Sequence, residues 1–146
     1  MKTRRQKIIT ALVNLLKQID GNSPYDSNLY NKVKDKLIFW DEIEEYPLVC
    51  LNAGTESRDY QTANVNWGFL GVTIRIYVKG DDAKDKLENI FGDIEHLLYT
   101  NNNLAFGDNS EEICTDIRIV SISDDEGLLA PIGVGQMELE IQYPIF

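Results

Sequence analysis

Apolar residues recur every three or four positions in two stretches of the chain, the spacing of a helix with one buried face. The first stretch is residues 3–20, with Gly21 as its stop, and its stripe is Ile8, Ile9, Leu12, Leu15, Leu16 and Ile19. The second follows a turn and N-cap at Asp81-Asp82, and its stripe is Ala83, Leu87, Ile90, Phe91, Ile94, Leu97 and Leu98. The sequence therefore predicts two amphipathic helices.

Strand-like patterns occupy four further stretches, which are residues 48–51, 67–79, 113–122 and 134–143. The last alternates most cleanly, with Met137, Leu139, Ile141 and Tyr143 directed inward. The strand at 67–79 has a second, half-apolar face that would suit contact with a neighbouring subunit, formed by Phe69, Thr73, Arg75 and Tyr77. Residues 52–66 are polar and predict a loop or an exposed hairpin tip. Residues 28–40 fit either a short helix or an irregular arm.

These elements follow the order αββαββ. Two helices on one face of a four-stranded, largely antiparallel sheet would bury both stripes together with the inward strand residues. The chain has 146 residues, of which 43% are hydrophobic, and this length suits one core. We therefore expect a single α+β domain over residues 1–146.

The formal net charge is −10. Nucleic-acid binding depends on Lys and Arg at the phosphates, so sequence-specific binding is disfavoured, whereas an acidic channel would let DNA slide without sticking. Basic residues nevertheless crowd the start of the first helix, where they oppose its dipole. They are Lys2, Arg4, Arg5 and Lys7. A solvated basic end is favoured over a partner-binding one.

Cysteine use and hydropathy bear on location. Cys50 and Cys114 lie among apolar residues of predicted strands, without a CxxC pair, which predicts reduced core thiols. No stretch of about 18 apolar residues exists. The basic start is not followed by a compact apolar signal core. We expect a chain that is neither exported nor bound to a membrane.

Candidate catalytic residues are few. His96 is the only histidine, and it falls on the polar face of the second helix with no second ligand at helical spacing, so neither zinc nor general-base chemistry is indicated. Asp93 and Glu95 are two positions apart on that helix and do not face one another. There is no GxSxG motif and no Walker loop. We expect no enzymatic activity and no cofactor.

The acidic run Asp124, Asp125 and Glu126 could offer carboxylates to a divalent cation. Its spacing differs from that of an EF-hand loop, and a solvated acidic turn is favoured. Gly127 and Gly133 in the same segment accept backbone angles closed to other residues, and Pro131 fixes one. We expect a shaped connection rather than a metal site.

Four motifs follow one another along the chain. They are Glu44-Glu45-Tyr46-Pro47 before the first strand, Gly54-Thr55-Glu56 after it, Asp93-Ile94-Glu95 in the second helix, and the connection at 123–133, in which Glu126 precedes Gly127. Their order resembles that of the tail terminator, or tail completion, proteins of long-tailed phages. In that family Gly-x-Glu, Asp-Ile-Glu and an Asp-x-Gly, Pro-x-Gly connection occupy corresponding places. The resemblance covers nearly the whole chain and rests on order and spacing.

The resemblance implies a structural virion protein of the tail or neck, assembled in the host cytoplasm. Its copies would form a homohexameric ring that binds the last ring of tail tube protein, ends tube polymerisation and offers a surface to a head-tail connector or neck protein. DNA would pass through the lumen without specific binding. A ring needs two different matching patches on each subunit. Candidate interface residues with the subunit or the tube are Glu56, Arg58, Tyr60, Phe69, Arg75, Tyr77, Asp124, Glu126 and Leu128.

Two other interpretations stay open. One is another phage neck component, such as a head-completion or connector protein, which would also form a ring. The other is a small bacterial α+β module that binds a metabolite or regulates an enzyme. A ligand-binding module should have a concave pocket with converging polar groups, whereas a ring subunit should have flat complementary flanks and an acidic inner edge.

Overall fold

A computed structural model describes residues 1–61 and 66–145 of the chain. Helices α1 (Arg4–Leu16) and α2 (Ala83–Thr100) pack on one face of a five-stranded sheet with the order β1-β2-β3-β7-β6. Its strands are β1 (Val33–Lys34), β2 (Leu48–Tyr60), β3 (Asn66–Lys79), β6 (Asp116–Asp124) and β7 (Ile132–Ile145). A separate two-stranded ribbon consists of β4 (Ala105–Phe106) and β5 (Glu112–Ile113), and a short 3-10 turn spans Trp40–Glu42.

The predicted α+β class is confirmed, but the four-stranded αββαββ arrangement is wrong. The additional strand, β1, lies in the segment for which a short helix or an arm was predicted, and it pairs parallel with β2 through Val33 and Val49. Val33 is buried in the core, and the Val49 amide donates to the Lys32 carbonyl over 2.8 Å. Two residues are too few to show the alternation of a strand. The backbone groups of β1 are instead satisfied by pairing with β2, which lies elsewhere in the sequence.

β2 and β3 form a long antiparallel hairpin. Its register runs from Leu48 opposite Tyr77 to Tyr60 opposite Asn66, with a bulge between Ala53 and Glu56. The hairpin prediction is confirmed, although most of the stretch assigned to loop or tip is strand. Polar residues can continue a strand where solvent reaches the sheet. Residues 62–65 of that prediction lie outside the described residues.

The predicted inward faces meet in one core. The apolar stripes of both helices pack against alternate residues of β3 and β7, and the predicted inward residues of β7, Met137, Leu139, Ile141 and Tyr143, are all buried. α2 approaches β7 closely at Gly135, where a Cβ atom would stand 2.5 Å from the Phe91 ring. Cys50 and Cys114 are free and buried, as predicted, although Cys114 follows β5 rather than lying in a strand.

α1 begins with a capping box in which the Gln6 amide donates to the Thr3 hydroxyl and the Thr3 amide donates to the Gln6 side chain. The helix ends at Leu16, earlier than residue 20, and the Ile19 carbonyl instead accepts from the Leu29 amide at 2.6 Å. Neither helix of the described residues is long and apolar enough to cross a membrane.

Candidate assembly surfaces

The β2–β3 hairpin contains a buried carboxylate shortly before its distal end. The side chain of Glu56 is only 4% exposed, and Arg58 Nε donates to it over 2.8 Å. The Tyr143 hydroxyl donates to the other oxygen of the same carboxylate. Burial, together with the adjacent Glu56 carboxylate, raises the pKa of the Tyr143 hydroxyl. Glu56 was predicted as an interface residue, but its carboxylate is buried and bound by side chains of its own chain.

The start of α1 braces the same hairpin from the side of β2. The Arg5 guanidinium donates to the carbonyl oxygens of Ala53 and Gly54, where the bulge begins. Arg4 Nε forms an ion pair of 2.7 Å with Glu112 in the ribbon. The favoured prediction of a solvated basic end is thus wrong for these two arginines, because both bind acceptors within the chain.

Beyond Glu56 the described part of the hairpin presents exposed side chains. Arg58, Asp59 and Tyr60 are exposed at the end of β2. On the paired strand, Trp67 and Phe69 are half-buried. The described end of the hairpin therefore carries charged and aromatic side chains on strands that stay paired as far as Tyr60 and Asn66.

The sheet face opposite the helices carries a row of polar contacts across β3 and β7. Arg75 donates to the Gln136 side-chain oxygen over 2.9 Å, and the Gln136 amide donates to Glu138 over 2.7 Å. The Thr73 hydroxyl donates to the same carboxylate over 2.9 Å. Arg75 is therefore half-buried and bound to β7 through Gln136 on this face.

Tyr77 was predicted to face a neighbouring subunit, and the structure corrects this. Its side chain is only 2% exposed, in a second small hydrophobic cluster with Leu48 and Cys50. Its hydroxyl donates to the Ile38 carbonyl over 2.8 Å. The cluster is covered by Ile38 and by Ile43, Tyr46 and Val134. Residues 38–46 of the same chain thus occupy the surface that the strand pattern left half-apolar.

The connection between β6 and β7 is shaped by Asp125. Its carboxylate accepts from the Leu129 amide at 3.1 Å and from the Val134 amide at 3.2 Å. Asp124 accepts from the Glu126 amide at 2.9 Å. Leu128 protrudes from this loop into solvent. Among the described residues, no group of His, Cys, Asp or Glu side chains is placed to hold a metal ion.

Asp93 has a structural position that the sequence did not reveal. It is buried, and its carboxylate accepts from the Asp26 amide at 3.2 Å and from the Ser27 amide at 2.8 Å. The contact ties the loop after α1 to α2. His96 on the same helix is exposed, as predicted, and its ring lies edge-on to Tyr25 with centroids 6.2 Å apart.

The amino-acid sequence of the chain is similar to that of known phage proteins. A family model described as Bacteriophage Tail Tube Terminator Protein matches residues 2–145. The chain belongs to the bacteriophage tail tube terminator family. Tail tube terminator protein p142 of Escherichia phage T5 is 35% identical over 95% of this chain and 92% of that protein. The resemblance drawn from the motifs is confirmed.

The fold of this tail tube terminator also occurs in a solved virion. A chain in the virion of a native gene transfer agent particle aligns with a TM-score of 0.62 and 8% identity, covering 90% of this chain and 92% of that one. The protein is therefore a structural component of a phage virion tail. The family match does not point to the neck-connector or bacterial-module interpretations.

For a tail tube terminator the relevant surfaces are those that its own fold leaves uncovered. Of the predicted interface residues, Arg58, Tyr60, Glu126 and Leu128 are exposed, Phe69, Arg75 and Asp124 are half-buried, and Glu56 and Tyr77 serve the interior. The sequence pattern did not predict the exposed apolar residues of the 35–40 segment and of β6. The one available signal was the aromatic content of Phe39-Trp40 in a stretch with no clear helical period.

Proposed function

We propose that this chain closes the end of a tail tube as a homohexameric ring, ends polymerisation of the tube protein and presents its outer surface to the head connector. Membership of the tail tube terminator family supports the tube-ending role. The structural observation that carries the proposal is the braced β2–β3 hairpin. A terminator must recognise the last ring of the tube through a surface that keeps one shape.

The hairpin meets that requirement through contacts on both of its sides. Tyr143 fixes Glu56 from β7, and Arg5 fixes the carbonyls of Ala53 and Gly54 from α1. A pre-ordered element loses little conformational entropy on binding. Tyr and Arg are also the residue types that most often dominate binding energy at interfaces. The end of β2 with Arg58 and Tyr60 is therefore the surface that we assign to the tube protein.

The charge of the chain supports a passage for DNA through the ring. At a formal charge of −10 per copy, a closed ring repels the phosphate backbone and forms few of the Lys and Arg contacts that make DNA adhere. DNA would slide through the lumen without specific binding. The open sheet face contributes Glu138 and Glu140 to this acidic character.

The test is a tube-growth assay with the tube protein of the same phage. Tubes polymerised with substoichiometric amounts of this chain should be shorter, and electron micrographs should show added density at one tube end. Tyr60→Ala should weaken the effect, because it removes the exposed aromatic ring at the end of β2. Tyr99→Ala, which removes an equally exposed ring from α2, is the matched control. Tubes of unchanged length with bare ends would contradict the proposal.

A further inference from the structure

We propose that neighbouring copies join edge to edge, with the outer edge of β6 in one copy packed into a recess beside β2 in the next. The recess has a volume of about 360 Å³ and lies where the first turns of α1 meet the outer edge of β2. This inference rests on the proposed ring, since it names the two surfaces that close it.

The recess borders a part of β2 that has no neighbouring strand on its outer side. Among the described residues, β1 pairs with β2 only at Val49 and Cys50, and no other strand lies on that side along Asn52 and Ala53. Asn52 and Ala53 line the recess, together with Ile9 of α1. An edge strand is a place where another chain can attach unless something covers it.

The outer edge of β6 is the surface that fits this recess. β6 ends the strand order and pairs only with β7 among the described residues. A bulge between Ile119 and Ser121 takes Val120 out of the ladder, and Val120 is 65% exposed while Ile122 is 44% exposed. Residues 119–123 carry no charged side chain, although charges usually protect sheet edges that stay in solvent. This edge is therefore suited to be covered by another protein.

The recess and the bulge in β6 lie at the same level on opposite sides of the sheet. Two rows of paired residues cross the whole sheet from one to the other. These rows are Asn52, Thr73, Glu138 and Ser121, and then Ala53, Val72, Leu139 and Ile119. Val120 lies between the β6 ends of the two rows. Unlike surfaces at one level on opposite flanks match in a head-to-tail repeat, and rotation about an axis then closes the repeat into a ring.

The lining of the recess is more basic than acidic. Lys2 and Arg5 both line it, and among the described residues Asp35 is the only acid of the lining. The Arg5 guanidinium donates to the carbonyls of Ala53 and Gly54, which are thereby occupied within the chain. The recess therefore offers a partner positive charge and an apolar contact rather than free backbone carbonyls at this point.

The flank of α2 beside β6 carries acids. Lys84 lines the groove between α2 and the β6–β7 connection, and Glu88 and Glu95 follow it about one and about three turns later on the same side of the helix. Arg118, a basic residue of β6, is paired with Asp116 over 3.0 Å. Opposite charges at the rim of an interface favour the correct register and exclude like-charged arrangements. A second copy of this chain therefore fits the recess in level, in apolar character and in charge.

The first test uses two variants, Asn52→Cys and Val120→Cys, mixed and incubated with tail tubes before addition of a short bis-maleimide. The native Cys50 and Cys114 are fully buried, and burial raises the pKa of the Cys114 thiol to about 12, so neither competes for the reagent. We expect a cross-linked dimer in the mixture and no dimer from either variant alone. The matched control replaces Val120→Cys by His96→Cys, at an exposed site on α2, and should give no dimer.

A charge at position 120 provides a second test. Val120→Lys should lower the yield of capped tubes, because it brings a positive charge against Lys2 and Arg5 of the next copy. Val120→Thr, which keeps nearly the same shape, is the control and should leave the yield close to that of the native chain. Val120 is exposed in the single chain, so both variants should melt at the native temperature. Native capping by a folded Val120→Lys chain would overturn the contact.

The outcomes separate this inference from the proposed function. Capped tubes that yield no dimer from the mixture would overturn the edge-to-edge contact and leave the terminator function intact. Cross-links from Val120→Cys to tube protein, in place of a second copy, would also overturn it. Bare tubes and a chain that stays monomeric would overturn both.

Discussion

The hydroxyl of Tyr143 in β7 reaches across β3 to donate a hydrogen bond to Glu56 in β2. Gly68 makes this possible, because it pairs with Tyr143 in the register and a Cβ atom there would stand 2.8 Å from the Tyr143 ring. The Tyr143 ring thus packs over Gly68, which has no side chain to obstruct it. A buried acid in the hairpin is thereby connected to the last strand of the chain.

Removal of this hydroxyl should loosen the hairpin. In Tyr143→Phe, the Glu56 carboxylate keeps Arg58 but loses its buried donor. We expect a loss of about 1.5 to 3 kcal/mol in the free energy of unfolding, the usual size for a hydrogen bond to a charged group. Urea unfolding followed by circular dichroism measures it. Tyr99→Phe, at an exposed tyrosine, should leave the midpoint unchanged, and equal midpoints for the two variants would refute the bracing role.

Asp93 should control the order of the loop after α1. Asp93→Ala leaves the amides of Asp26 and Ser27 without their acceptor, at a cost of about 1 to 3 kcal/mol. Hydrogen exchange of residues 22–30 should accelerate, whereas exchange in the sheet should change less. Glu95→Ala, two positions along α2, is the control. Unchanged exchange in this loop would show that other contacts hold it.

The two faces of β7 can be tested with neighbouring residues. Leu139 is buried against the helices, and its neighbour Glu140 lies on the open face of the sheet. Leu139→Ala should lower the free energy of unfolding by about 2 to 5 kcal/mol, because it opens a cavity in the core. Glu140→Ala should have little effect on stability. A Leu139→Ala chain with the melting curve of the native protein would contradict the orientation of the strand.

Phe69 and Tyr77 share one face of β3, yet charge should affect them differently. Phe69 is half-buried, so Phe69→Asp should leave a folded chain and impair assembly or tube capping. Tyr77 is closed off by residues 38–46 of its own chain, so Tyr77→Asp should destabilise the monomer itself, since it buries a charge among apolar side chains. Thermal melting and tube capping, measured for both variants, separate the two effects. A stable Tyr77→Asp monomer would contradict the covering segment.

The parts of the fold that the sequence predicted are those in which burial repeats locally. The stripe of α1 and the alternation of β7 both recur within a few residues, and every inward residue named in β7 is buried. β1 could not be predicted in this way, because it exists only through pairing with β2. The burial of Glu56 depends on Tyr143, 87 positions away, and on the missing side chain at Gly68. No local pattern encodes such contacts.

The candidate surface residues also differ in whether a local sequence pattern could predict their exposure. Arg58 and Tyr60 were identified because a polar stretch between strand patterns predicts exposure, and they are exposed. Tyr77 was misplaced because its cover comes from a segment that precedes β2 and has no regular period. The exposed residues Leu37, Phe39 and Trp40 were not predicted for the same reason. They flank Ile38, whose carbonyl accepts from the Tyr77 hydroxyl, and this is a tertiary contact.

We propose above that the chain ends a tail tube as a hexameric ring. Native mass spectrometry tests it most directly, applied to the purified chain alone and after incubation with tubes of the same phage's tube protein. We expect a hexameric species, free or released from tube ends. A chain that remains monomeric in both samples and leaves the tubes unoccupied would contradict it.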